Sequence, residues 1–267
     1  MDAFKGGSVP DLILKIPKRL RRGQLRWDEQ RSVASGVELL EIMGSSLGHA
    51  DLTNVSILDV GCGCKFTQAI LDRGLAVGQY TGIDVYADMI KFLREETSDP
   101  RFSFHHINTH NAMYNPLGKP LAADTKLPVE EASFDIVCGF SLFTHLAPHD
   151  YIAMLKVLRR YVKPTGHMFF SLFVNEETPG GLGRVDKFKK AMQQADQSQL
   201  DKHQSSFEKT QQEGTPDFID AIPEHPLRVA MYSREYALRL VEDTGWRIDS
   251  LNDPLEHVQH YMICSPV

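Results

Sequence analysis

Several features that would place a protein in a well-known class are missing from this 267-residue sequence. It has no apolar run of about 18 residues, so we predict no membrane-spanning helix. The N-terminal region lacks an apolar core and a cleavage site, so we predict no signal peptide. No internal repeat is visible. The length suits one domain with an elaboration, and 42% hydrophobic and 24% charged residues are ordinary for a globular protein.

Cysteine is scarce, with four residues: Cys62, Cys64, Cys138 and Cys264. Their spacing does not match a disulfide framework, and Cys62-x-Cys64 without a second pair is a poor metal site. We therefore predict reduced, structural cysteines and a cytoplasmic protein.

Positive charge is also in deficit, since the formal net charge is −6. This balance argues against a general nucleic-acid binder. The basic cluster Lys15–Arg22 is a local exception. One interpretation is a clamp for an anionic or phospholipid-linked acceptor. The other, which we favour, is a solvated arm that packs on the domain. The predicted organisation is a basic arm (1–27) followed by one domain (28–267).

The segment Val55–Lys65 has the pattern of a buried strand, a glycine turn and a helix start. Two glycines let the backbone approach a ligand, and the helix start presents free N–H groups. A dinucleotide fingerprint would need a third glycine where Phe66 stands, and no Walker-type lysine follows. The pattern favours a turn for a nucleoside without phosphate, with Asp59 as an acceptor beside it.

A second short strand, Tyr80–Asp84, ends in a carboxylate 25 residues after Asp59. In a strand–helix–strand unit, an acid at the end of the second strand meets ribose hydroxyls. Asp84 is therefore the predicted ribose ligand.

These two segments resemble the class I S-adenosylmethionine-dependent methyltransferases. Leu58–Gly63 resembles their first motif, Gly82–Asp84 the second and Ser133–Val137 the fourth. The segment Phe140–Leu146 resembles a bacterial subgroup associated with tailoring sugars, lipids or secondary metabolites. Lys65 departs from the small residue that usually follows the first motif.

The resemblance implies an α/β fold with a doubly wound, seven-stranded, mostly parallel sheet of Rossmann-like type and an antiparallel terminal strand. We predict strands at 55–60, 80–84, 102–108, 131–140, 167–174, 246–251 and 258–264. The polar region 176–230 is predicted to be a helical cap over the acceptor site. The insertion 109–123 is either a substrate loop or a surface excursion.

The resemblance also implies S-adenosylmethionine as cofactor, with S-adenosylhomocysteine as product, and assigns its contacts. Asp59 would contact the amino group, and Lys65 either reaches the cofactor carboxylate or points to water. Asn108 is the first candidate for the adenine, with Asp124 as the alternative. The remaining predicted cofactor-binding residues are Gly61, Gly63, Asp84, Val85, Phe140 and Ser141.

An oxygen acceptor must lose its proton, and histidine is the usual base near neutral pH. His145, just after the fourth strand, is the first candidate, although it could instead pack the turn beneath the cofactor. His149 is a weaker candidate. His149 and Asp150 alone do not make a metal site, so no metal is predicted.

The leading hypothesis is an O-methyltransferase whose partner is a small-molecule, glycan or lipid acceptor. One alternative is a catalytically silent cofactor-binding or regulatory protein. Another is a methyltransferase of nucleic acid or protein, which the acidic balance and the lack of an appended RNA-binding module disfavour.

Overall fold

The computed structural model describes residues 12–22, 28–176, 217–222, 224–254 and 259–267. Strands and helices alternate along most of the chain. In order, the elements are α1 (Glu29–Ser46), β1 (Leu52–Val60), α2 (Lys65–Arg73), β2 (Val77–Asp84), α3 (Ala87–Glu96), β3 (Phe102–His106), β4 (Phe134–Gly139), α4 (Pro148–Arg159), β5 (Val162–Val174), β6 (Phe218–Asp220), β7 (Ala230–Tyr232), α5 (Arg234–Arg239), β8 (Trp246–Asn252) and β9 (His260–Pro266).

Local signals set several helix ends. Asp28 caps α1 by accepting the backbone N–H of Arg31 at 2.9 Å. Ser233 caps α5 in the same way, accepting from Tyr236 at 3.2 Å. In each case a short polar side chain that precedes an apolar repeat satisfies a free N–H of the first turn.

Seven strands form the main sheet, in the order β3-β2-β1-β4-β5-β9-β8. The pairs β1–β2, β1–β4, β2–β3 and β4–β5 are parallel, and β9 is antiparallel to both β5 and β8. The predicted fold is confirmed. Asp59 lies opposite Gly82 on one side and Cys138 on the other. The carboxyl ends of β1, β2 and β4 therefore meet at one edge, where sheets of this kind bind ligands.

The described residues contain nine strands rather than the predicted seven. Of the two extra strands, β6 falls inside the region predicted to be a helical cap (176–230), and β7 begins at the last residue of that region. β7 continues the sheet by pairing in parallel with the end of β5, Val174 opposite Tyr232. Each extra strand has three residues, which is too short to show an alternating pattern. Residues 177–216 of the predicted cap lie outside the described residues.

Strand β5 begins at Val162, earlier than predicted, because the segment 163–166 is extended rather than a turn. Gly166 permits this path, since a Cβ there would lie 2.6 Å from the Asp135 carbonyl oxygen.

Two apolar clusters cover the two faces of the sheet. Alternation along β1 directs Leu58 and Val60 to the α4 side and Ile57 to the side of α1, α2 and α3. The second cluster also buries Leu14, Ile16 and Leu20, so the described part of the basic arm packs on the domain. All four cysteines are buried and unpaired. None of the described helices is long and apolar enough to cross a bilayer.

Candidate active site

A cavity of about 480 Å³ opens at the carboxyl ends of β1, β2 and β4. Small-molecule sites are typically roughly 300–1,000 Å³ in volume, so the cavity suits one. The lining includes nine residues predicted from the sequence: Asp59, Gly61, Gly63, Lys65, Asp84, Val85, Phe140, Ser141 and His145.

The glycine turn forms the floor of this cavity. Gly61 and Gly63 adopt φ angles of +75° and +49°, which side-chain-bearing residues rarely adopt. The Gly61 N–H donates to the Ile83 carbonyl at 2.8 Å, which ties the turn to β2. No atom lies within 4 Å of where a Cβ on Gly63 would stand. A ligand can therefore approach the backbone closely at this point.

Asp84 connects the turn to the start of α3. Its Oδ2 accepts the Gly63 N–H and its Oδ1 accepts the Tyr86 N–H, both at 2.8 Å. Burial raises the pKa of this carboxyl. Each carboxylate oxygen has a second lone pair, so Asp84 can accept hydrogen bonds from a vicinal diol such as a ribose.

Asp59 is almost fully buried at the end of β1, with 3% of its surface exposed. It accepts hydrogen bonds from the Tyr80 hydroxyl at 2.6 Å and the Cys138 thiol at 3.7 Å. Burial raises the pKa of Asp59 to about 7. A positive ligand group such as an ammonium would favour the ionised form of this carboxyl.

Lys65 replaces the small residue expected after the turn, and α1 makes room for it. A Cβ on Gly36 would lie 3.0 Å from the Lys65 carbonyl oxygen and 3.1 Å from its Cγ. Lys65 Nζ lies 3.4 Å from Ser35 Oγ, and among the described residues it forms no ion pair. Burial lowers the pKa of this ammonium. A partly buried cation at the first position of α2 is unfavourable beside the positive end of the helix. It is therefore suited to bind an anion.

His145 also lines the cavity. Its Nδ1 is 3.1 Å from the Leu227 carbonyl oxygen. That carbonyl can only accept, so Nδ1 carries the proton and Nε2 keeps a free lone pair. Burial lowers the pKa of His145, which keeps the ring neutral near pH 7. A neutral imidazole of this kind is chemically able to accept a proton.

The turn that holds His145 was not found from the sequence. Leu227 has a φ of +58°, unusual for a branched residue. Its N–H donates to Asp220 Oδ2 at 2.9 Å. The partner of His145 is thus a backbone carbonyl 82 residues away, for which no residue type gives a sequence signal.

Ser141 is the start of a second network that was only partly predicted. It also has a positive φ, +55°. Its N–H donates to Ser171 Oγ at 2.8 Å, and Ser171 Oγ donates to Gln259 Oε1 at 2.5 Å. Gln259 Nε2 donates back to Ser141 Oγ at 2.9 Å. Ser171 and Gln259 line the cavity but were not among the predicted site residues.

The arm and the insertion 109–123 meet at the rim of the cavity. Arg22 donates to the Tyr86 hydroxyl at 2.8 Å, and its guanidinium lies 5.0 Å from the centre of that ring. The Tyr86 and Tyr114 rings are 5.5 Å apart. Arg22, Asn111 and Tyr114 all line the cavity. The insertion therefore lies at the site rather than away from it.

Three predicted site residues are not among the lining residues. Asn108 is exposed, and its Oδ1 accepts a hydrogen bond from Asn115 at 3.0 Å. The side chain of Asn108 is therefore bonded to the insertion. Asp124 is exposed in a turn. His149 has 81% of its side chain exposed and faces Asp150 at 3.3 Å. The geometry does not favour the roles predicted for these three.

A cluster of possible metal ligands lies outside this cavity lining. Glu176, Asp253 and His260 place ligand atoms within 4.8 Å of one another. Arg234 donates to Glu176 at 2.6 Å and to Asp253 at 2.7 Å. Its positive charge offsets one of the two carboxylate charges, and Glu176 also bonds His260 Nε2 at 2.7 Å, so this cluster is explained as a hydrogen-bonded ion-pair network.

Comparison with known proteins identifies the domain. A family model described as a methyltransferase domain matches residues 58–170, which span β1 to β5 and the glycine turn. Residues 58–170 thus form a methyltransferase domain, which supports a class I S-adenosylmethionine-dependent methyltransferase.

Solved structures share the fold of this methyltransferase. The PH0226 protein of Pyrococcus horikoshii OT3 is 15% identical, with a TM-score of 0.54 over 95% of this chain and 100% of that one. A SAM-dependent methyltransferase of Aquifex aeolicus is 17% identical, with a TM-score of 0.50 over 88% and 98%. The magnesium protoporphyrin IX methyltransferase of Synechocystis PCC 6803, solved with bound S-adenosylhomocysteine, is 12% identical, with a TM-score of 0.50 over 94% and 92%.

S-adenosylmethionine is the cofactor, and the residues on the cavity wall fit it. The ligand needs a diol acceptor, a partner for its ammonium and a partner for its carboxylate. Asp84, Asp59 and Lys65 have the matching charges.

Proposed function

We propose that this methyltransferase methylates a hydroxyl oxygen of a small molecule, sugar or glycolipid. The observation that supports an oxygen acceptor is the geometry of His145. Its Nδ1 is committed to the Leu227 carbonyl at 3.1 Å, and its ring lines the same cavity as the glycine turn. A neutral imidazole with a free Nε2 suits removal of a proton from a hydroxyl.

On the donor side, the proposed contacts follow the charges of the cavity wall. Asp84 accepts from the ribose hydroxyls, Asp59 from the ammonium, and Lys65 binds the carboxylate. Gly61, Gly63, Phe140 and Ser141 place backbone against the methionine portion, and Val85 packs on the adenine.

The cofactor supplies a methyl group that is already activated as a sulfonium substituent. The protein contributes orientation, proximity and a base. His145 Nε2 would accept the proton of the acceptor hydroxyl while that oxygen takes the methyl group, and the cofactor would leave as its thioether with the bonding electron pair. The imidazolium would then release its proton to solvent.

Methyl-labelled S-adenosylmethionine, incubated with fractionated metabolites and lipids from the organism that makes the protein, tests this proposal. The wild type should label a hydroxyl-bearing product. His145→Gln should lower the rate by about 10²- to 10⁴-fold, the usual contribution of a general base. Its affinity for S-adenosylhomocysteine should stay within about twofold of the wild type.

His149→Gln is the matched control, because it removes an exposed imidazole four residues away. Its rate should equal that of the wild type. Transfer exclusively to nitrogen, sulfur or carbon, or an unchanged rate in His145→Gln, would contradict the proposal.

A further inference from the structure

Tyr261 has a hydroxyl that the donor-side contacts and the His145 mechanism do not use. The residue lies on β9 with 4% of its surface exposed, and it lines the cavity. Its Oη is buried and makes no hydrogen bond to any residue in the described ranges. Buried polar groups are nearly always hydrogen-bonded, so an exception at a cavity wall points to a ligand.

The Tyr261 ring is held firmly in place. Its centroid lies 5.6 Å from that of Phe169, which in turn stacks on Phe140 at 5.4 Å. The main chain of Tyr261 pairs with Ser171 in the β5–β9 ladder. The direction of the hydroxyl is thus fixed by packing, as is expected of a group that positions a ligand.

The position of Tyr261 favours the acceptor over the cofactor. It stands on β9, two residues after Gln259, which bonds to Ser141 and Ser171 at the end of β4 and β5. Ser141 is a proposed contact of the methionine portion, so Tyr261 lies toward the end of the cavity where the methyl group is transferred. The proposed ribose and adenine contacts are on β2, and the sheet order separates β2 from β9 by β1, β4 and β5.

The protonation state of the Tyr261 phenol determines whether it acts as a hydrogen-bond donor or as a base. Burial and the nearby Glu38 carboxylate raise the pKa of Tyr261. The phenol therefore remains protonated near neutral pH and acts as a hydrogen-bond donor rather than a base.

We propose that Tyr261 is an acceptor-binding residue, whose hydroxyl donates a hydrogen bond to an oxygen atom of the molecule that is methylated. This inference rests on the proposed function. It adds to the proposed function a second residue, besides the base His145, that contacts an oxygen atom of the acceptor.

Tyr261→Phe is the test, with Tyr236→Phe as control because Tyr236 lies on α5 outside the cavity lining. Three quantities are measured: the melting temperature, the affinity for S-adenosylhomocysteine, and kcat and KM for label transfer to the active extract fraction. We expect Tyr261→Phe to keep its melting temperature or raise it, because a hydroxyl without an intramolecular partner is removed. Cofactor affinity should stay within about twofold, and KM should rise about tenfold. Tyr236→Phe should match the wild type in cofactor affinity, kcat and KM.

A fall of several degrees in the melting temperature would show that the hydroxyl has a structural partner, and would overturn the inference. A loss of cofactor affinity in Tyr261→Phe would assign the hydroxyl to the donor site instead. Unchanged kcat and KM would show that the hydroxyl does not bind the acceptor. Failure of the proposed function looks different, because the wild type itself would then transfer no methyl to a hydroxyl.

Discussion

The two halves of the cavity are built in different ways. The donor half consists of Asp59, the glycine turn, Lys65 and Asp84, and its joining hydrogen bond, Gly63 to Asp84, spans 21 residues of sequence. The acceptor half joins residues that are far apart, such as His145 and Leu227, which are 82 residues apart. A short stretch of sequence therefore contains the donor site, whereas the acceptor site exists only in the folded chain.

The difference suggests that the halves are energetically separable. Substitutions in the donor half should change cofactor affinity, and substitutions in the acceptor half should change methyl transfer alone. Residues that are far apart and share no partner usually contribute additively. The variants below test this separation, from the largest expected effect to the smallest.

Asp84→Ala should have the largest effect. It removes the proposed acceptor of two ribose hydroxyls and the anchor of the Gly63 N–H. Two hydrogen bonds to a charged group are worth about 3–6 kcal/mol, so affinity for S-adenosylhomocysteine should fall at least about 100-fold in isothermal titration calorimetry. Asp88→Ala, which deletes an exposed carboxylate on the first turn of α3, should bind like the wild type. Retained affinity in Asp84→Ala would contradict the donor site.

Lys65→Met should weaken S-adenosylhomocysteine roughly 10- to 100-fold, the effect of one charged hydrogen bond. Binding of 5′-methylthioadenosine, which lacks the amino-acid portion, should change little. The contrast between the two ligands is the measurement. Lys126→Met removes an exposed lysine and serves as the control. If the affinities for both ligands fall by the same factor, Lys65 supports the turn and does not bind the carboxylate.

Asp59 should make cofactor binding depend on pH. Its pKa of about 7 means that the carboxylate gains a proton, and loses its attraction for an ammonium, as the pH falls through 7. We expect S-adenosylhomocysteine to bind roughly tenfold more weakly at pH 6 than at pH 8. Asp59→Asn, titrated over the same range, should show a weaker and nearly flat profile. An equally steep profile in that variant would assign the dependence to another group.

Asp220→Ala should have the smallest effect and should act on the acceptor half alone. It releases the Leu227 N–H, which Asp220 accepts at 2.9 Å, and so loosens the carbonyl that orients His145. We expect a roughly fivefold lower rate of methyl transfer, with cofactor affinity unchanged. Asp253→Ala, near the Arg234 cluster, is a comparison outside the His145 turn. A change in cofactor affinity in Asp220→Ala would mean that the two halves are coupled.

Local chemistry explains what the sequence could predict. The caps of α1 and α5, the strand–turn–helix around Gly61, and Asp84 at the end of β2 each follow from residues within a few positions of one another. Sheet order and the antiparallel β9 follow from the resemblance of these motifs to a known family.

The parts that escaped prediction depend on pairing between distant segments. Asn108 was predicted to contact the adenine, but its Oδ1 accepts a hydrogen bond from Asn115 of the insertion. Leu227 contributes a carbonyl oxygen, which every residue has. In the sequence, Tyr261 on β9 has the pattern of an ordinary core residue. Side chains whose role arises from a missing partner can be recognised only in three dimensions.

The junction between β5 and β7 has a consequence for protein engineering. The Asn175 N–H donates to the Tyr232 carbonyl at 2.8 Å, and the Ser233 N–H donates to the Asp217 carbonyl at 2.9 Å. Asn175 and Asp217, which flank residues 177–216, are therefore bonded to two consecutive residues. Since doubling the length of a closed loop costs only about 0.6 kcal/mol, segments of other lengths can be grafted between these two clamps without disturbing the donor site. The junction is therefore a natural insertion point for a segment of a different length.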